Sequence, residues 1–143
     1  MSGTYSSSDS LSIRLLDSTI KEWILRCIQN DTRALIVMLS YYPELVTQID
    51  PISGFTALHW AAKHGNMEII KLLGKSNLVN INHKSNGGYT ALHIAQQYGH
   101  VKVVDALVDD YQADTCIRDN YGFKHHQYTK NRFSRLINLM KYD

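Results

Sequence analysis

The chain has 143 residues, of which 44% are hydrophobic and 20% charged, with 2 prolines and 8 glycines. That is the size of one domain and the composition of an ordinary globular protein, and it excludes collagen-like and low-complexity classes. The formal net charge of +2 is too small on its own to point to nucleic acid or an anionic membrane, and no apolar run approaches the ~18 residues of a membrane-spanning helix.

The charge is uneven along the chain. Residues 1–50 hold 4 basic and 6 acidic residues (−2), residues 51–118 hold 6 and 5 (+1), and residues 119–143 hold 5 and 2 (+3). The start, Met1 to Ser10, is Ser-rich and lacks the apolar core of a signal peptide. Residues 1–16 are expected to form a disordered leader or a remnant, with one domain over 17–143.

Two helical patterns follow within 18–49. Ile20, Trp23, Ile24, Cys27 and Ile28 form one apolar stripe, and Leu35, Ile36, Met38 and Leu39 form another, with Asp31 or Thr32 near its start. Tyr41-Tyr42-Pro43 ends the second, as proline commonly does just past a helix. Leu45, Val46 and Ile49 lead onward.

A repeat then becomes explicit. Gly54-Phe55-Thr56-Ala57-Leu58-His59-Trp60-Ala61-Ala62-Lys63-His64-Gly65-Asn66 aligns without a gap to Gly88-Tyr89-Thr90-Ala91-Leu92-His93-Ile94-Ala95-Gln96-Gln97-Tyr98-Gly99-His100, 34 residues later. Ile70-Lys71-Leu72-Leu73 aligns in the same register with Val104-Asp105-Ala106-Leu107. A third copy opens at Asp119-Asn120-Tyr121-Gly122.

Each copy reads as a turn and two helices. Gly54, Gly88 and Gly122 lie in polar turns, where positive φ is often required. Thr56 and Thr90 are natural N-caps, and Gly65 and Gly99 are positioned to stop the first helix. Met67, Ile69, Ile70, Leu72 and Leu73, and later Val101, Val103, Val104, Ala106, Leu107 and Val108, give the second helices an apolar stripe. A single pair could not bury its stripe alone, whereas stacked pairs share one core and end in atypical caps. The expected fold is an all-α solenoid of helix-turn-helix units with short hairpin-like turns, about three to four repeats with the caps. The expected units are a degenerate repeat at 18–49, repeats at 50–83 and 84–118, and a C-terminal cap at 119–143. In that cap Lys124-His125-His126-Gln127 replaces Thr-Ala-Leu-His. Phe133, Leu136, Ile137 and Met140 would form a last amphipathic helix with Arg132, Arg135 and Lys141 on its polar side.

These segments resemble ankyrin repeats, whose signature is a turn, Thr-Pro-Leu-His-x-Ala and two helices in ~33 residues. Ala57 and Ala91 stand where that signature has proline. The segment 54–65 with Trp60, Gly87-Gly88-Tyr89-Thr90-Ala91-Leu92-His93 and Ile117-Arg118-Asp119-Asn120-Tyr121-Gly122 resemble the ankyrin region of the sosondowah (SOWAH) family.

The 7 histidines invite a metal or catalytic reading. His59 and His93, however, repeat at the period of the fold, as structural residues do. The resemblance implies that this histidine hydrogen-bonds the backbone of the neighbouring turn, and that His100, after Gly99, is structural too. His125-His126 are adjacent and poor joint ligands, and no Cys, Asp or Glu completes a zinc spacing. No nucleophile elbow, P-loop or dinucleotide fingerprint occurs. Catalysis, metals and cofactors are therefore not expected. Cys27 and Cys116 read as reduced, buried small hydrophobes of an intracellular protein, with a disulfide as the lesser reading.

What remains is a scaffold or adaptor that binds a protein partner on the concave side, where hairpin tips and inner helices meet. The variable positions that the resemblance implies, carried over by the repeat register, give as candidate contacts Phe55, Lys63 and His64 in one repeat, Tyr89, Gln97 and Tyr98 in the next, and Tyr121 and Phe123 in the last. The fold itself does not ask for large rings at His64 and Tyr98. Phe55, Tyr89 and Phe123 share a repeat position, so they form either an aromatic anchor row or rings that cover neighbouring hairpins. Thr56, His59, Gly65, Thr90, His93 and Gly99 are the structural motif. The alternative is a nucleic-acid-associated or regulatory subunit that uses the basic C-terminal segment. Nucleic acid and membrane are disfavoured as partners. A monomeric domain in cytoplasm or nucleus is expected.

Overall fold

A computed structural model describes residues 7–128, with backbone alone at 7–9. Among these, six α-helices follow in order: α1 (Ser7–Ile28), α2 (Thr32–Tyr41), α3 (Ala57–His64), α4 (Met67–Gly74), α5 (Ala91–Gln97) and α6 (Val101–Asp105). Short 3₁₀ turns lie at Pro43–Thr47 and His125–Gln127, and a π-helical turn at Ala106–Asp110 extends α6. No strand occurs among the described residues, so the architecture is an all-α repeat solenoid. The last amphipathic helix expected around Phe133 to Met140, with Lys130 and the other distal basic residues, lies outside the described residues.

The first unit departs from the expectation at its start. Residues 7–16, expected within a disordered leader, form the first half of α1. The serine content suggests a leader, but no glycine or proline interrupts the sequence from Ser7 to Tyr42, so nothing there breaks a helix. Leu11, Ile13, Leu15 and Leu16 on this half are exposed. Trp23 and Cys27, further along, are buried.

The helix ends follow local chemistry. Asp31 Oδ1 accepts from Ala34 N–H at 3.2 Å at the start of α2, and Asn66 Oδ1 accepts from Ile69 N–H at 3.2 Å at the start of α4. Thr90 Oγ1 accepts from His93 N–H at 3.3 Å. Between repeats the inner helices α3 and α5 pack on each other, and each also packs on its own outer helix, α4 or α6. The alanines between them, Ala61, Ala62, Ala91 and Ala95, are buried and leave room for the close approach. Leu58, Ile69, Ile70, Leu73, Leu92, Val103 and Leu107 complete one continuous core with the N-terminal unit. Leu72 and Val101, read from the sequence as part of the apolar stripes, are exposed.

The hairpins join in a ladder. Each is closed by a backbone bond, Asp50 N–H to Phe55 O, Ser85 N–H to Tyr89 O and Asp119 N–H to Phe123 O, at 2.8, 2.8 and 2.9 Å, and by a second from its glycine N–H back to Asp50 O, Ser85 O or Asp119 O. Each is then tied to the one before it. Asn86 N–H donates to Ser53 O and Asn86 Nδ2 to Ile52 O, at 3.1 and 3.0 Å. Asn120 repeats this toward Gly87 O and Asn86 O, at 3.1 and 2.9 Å. Gly88 lies at φ +80°, and a Cβ there would stand 2.7 Å from the Asn120 amide nitrogen. Backbone strain and a backbone clash coincide, so Gly88→Ala is expected to lower stability by about 1–3 kcal/mol in a denaturant melt. An unchanged melt would show that the ladder contributes little.

The two cysteines differ in environment. Cys27 is buried, which pushes its thiol up to about 12. Cys116, expected to be buried, is exposed, because it lies in the turn after the last helical stripe with its N–H on Asp114 Oδ1 at 2.8 Å. Both are free thiols. Iodoacetamide is expected to add one label to the native protein and two after unfolding, read by mass spectrometry.

Candidate interaction surface

The concave side is built on a histidine at each repeat junction. The N–H of Thr56 points at His59 Nδ1 at 3.2 Å, so that nitrogen accepts. The proton is thereby assigned to Nε2, which donates to Tyr89 O at 2.8 Å across the junction. His93 repeats the arrangement, with Nδ1 3.3 Å from Thr90 N and Nε2 2.9 Å from Phe123 O. Burial pushes His59 down to about 4, helped by the nearby His83 and opposed by the bond to Tyr89. His93 is lowered by burial in the same way. Both rings are therefore neutral wedges in the neutral pH range, with both nitrogens already engaged.

The helix ends are clasped as well. His100 Nε2 lies 2.9 Å from Lys63 O, at the end of α3. His64 Nε2 lies 3.1 Å from Ile28 O, at the end of α1. The repeat pattern sets His64 apart as a ring the fold does not ask for, yet its nitrogen ties α3 to the N-terminal unit. Asn66 Nδ2 reaches Asn30 Oδ1 and Thr32 Oγ1, both at 2.8 Å.

The rings of the shared repeat position are half-buried. Phe55 stacks on His59 with centroids 5.1 Å apart and meets Trp60 edge-on at 4.9 Å. Tyr89 meets His93 at 6.2 Å and Tyr128 at 6.4 Å, and Phe123 meets Tyr128 at 5.8 Å. Tyr128, which the sequence does not single out, is buried between two hairpins and donates its hydroxyl proton to Asp119 Oδ2. Burial, with the adjacent Asp119 carboxylate, raises its pKa. The Phe55, Tyr89 and Phe123 rings thus cover hairpins and junction histidines.

A second aromatic group reaches solvent. Lys63 Nζ stands 5.2 Å from the Trp60 ring centroid and 5.7 Å from that of Tyr98, linking α3 to the end of α5. His64 stacks near Trp60 at 6.4 Å and 22°. Tyr98 is 53% exposed. Trp60 Nε1 is buried with no hydrogen-bond partner among the described residues. Gln97 is half-buried beside Tyr98 in sequence, and Tyr121 is exposed at the third hairpin tip. The structure therefore gathers Lys63, His64 and Tyr98 around Trp60, with Phe55 at its edge, and leaves Tyr121 on another hairpin. In the sequence Trp60 is only a mark of resemblance. Its repeat equivalent, Ile94, is buried, whereas the larger indole remains half-exposed.

Among the described residues no group of three or more His, Cys, Asp or Glu side chains is placed to hold a metal ion. No helix there is long and apolar enough to cross a membrane.

Residues 24–119 match ankyrin repeats (3 copies). The chain belongs to the ankyrin-repeat family. It is 48% identical over 127 residues to mouse ankyrin repeat domain-containing protein SOWAHC, which aligns with 85% of the chain and 25% of that protein. The human SOWAHC protein is 45% identical over 127 residues, covering 85% of the chain and 24% of that protein. SOWAHB of Xenopus laevis is 35% identical over 134 residues, covering 90% and 16%. The chain thus spans about a quarter or less of these relatives and is similar to the ankyrin domains of sosondowah proteins. In shape it is similar to a chain of the crystal structure of the yeast ribosomal protein Rps3 in complex with its chaperone Yar1. That match has a TM-score of 0.73 and 27% identity, covering 86% of this chain and 90% of that one. Ankyrin repeats are, as a family, typically non-catalytic modules of protein–protein interaction. In this ankyrin stack His59 and His93 bond successive hairpins, while Trp60, Lys63 and Tyr98 form the exposed ring cluster on its inner helices.

Proposed function

We propose that this chain is a non-catalytic scaffold or adaptor module that acts inside the cell as a single chain and binds a protein on its concave face. The observation that carries this reading is the Trp60–Lys63–Tyr98 cluster. It spans two repeats, it reaches solvent, and no side-chain hydrogen bond among the described residues uses Tyr98. An exposed ring held by a cation, beside a half-exposed indole, is the amphipathic composition typical of an interface centre. Two free thiols fit a reducing compartment. A chain of similar fold occurs in a complex of a protein with its chaperone, which fits a role in holding a partner.

The test compares affinity capture by the native chain with that by a Lys63→Ala/Tyr98→Ala double variant, read by mass spectrometry. The variant is expected to lose the partner while its unfolding free energy stays within about 1 kcal/mol of native, since both side chains are at the surface. Recovery of the same partner by both proteins would place the binding surface elsewhere.

A further inference from the structure

The carboxylates of the repeat stack are sorted by face, whereas its cations occur on both. The hairpin and inner-helix segments 51–64, 84–98 and 118–128 carry Lys63, Lys84, Arg118 and Lys124 against one carboxylate, Asp119. Asp119 is buried and engaged, accepting from Tyr128 Oη and from the Tyr121 and Phe123 N–H groups. Asp50, which opens the first hairpin, is also buried and bonded to Ile52 N–H and Ser53 Oγ. The exposed carboxylates of the two central repeats lie on the outer helices and the turn beyond them, at Glu68, Asp105, Asp109, Asp110 and Asp114, where they outnumber Lys71, Lys75 and Lys102.

The inner cations are also unneutralised. The ion pairs among the described residues, Asp17–Lys21, Glu22–Arg26 and Arg26–Asp31, all belong to the N-terminal unit. Lys63, Lys84 and Lys124 have no carboxylate partner among the described residues. Lys63 is held over two rings, which fix its position while leaving its donors without an anion. The face is rich in cations, poor in free carboxylates and walled by aromatic rings.

We infer that the concave face takes an acidic, extended peptide segment, with a carboxylate on Lys63, apolar side chains against Trp60 and Tyr98, and further acidic residues toward Lys84 and Lys124. The inference rests on the concave face being the binding face. Charge complementarity selects a peptide carboxylate, because four cations spread over three repeats do not form the dense basic stripe that tracks a phosphate backbone.

The test is a random-peptide display selection on the full chain, followed by fluorescence anisotropy of the selected peptides. Selected sequences are expected to be enriched in Asp and Glu over the starting library, and their affinity to fall with added salt. Lys63→Glu is expected to weaken them about tenfold or more, and Lys63→Gln by less, with thermal melts confirming that both variants fold. If the selected peptides are neutral or basic but still require Tyr98, the acidic inference is overturned and the concave reading stands. If no peptide is selected, or if those selected ignore both Lys63 and Tyr98, both fall. A labelled single-stranded DNA that binds more tightly than the acidic peptides and displaces them would overturn the inference in favour of nucleic acid.

Discussion

Leu92→Ala is expected to remove about 2–5 kcal/mol from the unfolding free energy. Leu92 lies in α5 and is 2% exposed, within the same core as Leu58, Ile70 and Leu107. Its helix packs on α3, on α6 and on the 3₁₀ turn His125–Gln127. Truncation there removes apolar contacts and leaves a cavity among alanines that cannot move in without shifting a helix. The loss is also shared, because a repeat stack is held by its nearest-neighbour interfaces and α5 belongs to two of them. Urea denaturation followed by circular dichroism measures the effect. A change below about 1 kcal/mol would mean that the site collapses around the smaller side chain and that the stack is more plastic than its packing implies.

Acid is expected to loosen the same stack through His59. An unfolded chain holds this imidazole near pKa 6.5, and the folded protein holds it at about 4. A depressed folded value means that the stabilisation is fully present above pH ~6.5 and is lost as pH falls through ~4. The difference corresponds to about 3 kcal/mol, because each unit is worth about 1.4 kcal/mol. The structural reason is that protonating Nδ1 would take away the acceptor of the Thr56 N–H and place a charge among buried groups. His93, lowered in the same direction, adds to the effect. Denaturant melts across this window should show stability falling in the native protein and a shallower fall in His59→Gln. A flat profile for the native protein between pH ~6.5 and ~4 would refute the neutral-wedge reading.

The repeat was legible because its signals are local and recur: glycines at 54, 88 and 122, threonines before α3 and α5, and a histidine three residues on. The hairpin register was less so. Asp50 opens the first hairpin and Ser85 the second, 35 residues apart, because the first turn holds one residue more. A motif aligned on its glycines cannot show where the extra residue sits. Asn86 and Asn120 do recur at 34, yet a polar residue at a turn tip reads as surface until a neighbouring carbonyl is seen beside it. The helical start of α1 is hidden by composition, since serines suggest a leader while the lack of breakers carries the opposite signal. Residue type alone predicts burial for Cys116, but its exposure follows from a turn.

The site was legible in part for related reasons. Lys63, His64 and Tyr98 could be placed at helix ends by register alone. That His64 ties α3 to α1 depends on the carbonyl of Ile28, which no local pattern reveals. Trp60 required a comparison of sizes, because the same position buries isoleucine in the next repeat but cannot bury an indole.

The clasps described above occupy the two edges of the inner face. Histidines and asparagines fasten the hairpins along one edge, and His64, Asn66 and His100 fasten the helix ends along the other. Nearly all these bonds end on backbone atoms, which every sequence supplies. The side chains of Lys63 and Tyr98, which stand at the helix ends without making any of these bonds, are thereby released from holding the repeats together. They can be rewritten residue by residue with little effect on folding, so one scaffold can be recoded for a different ligand while its architecture stays constant.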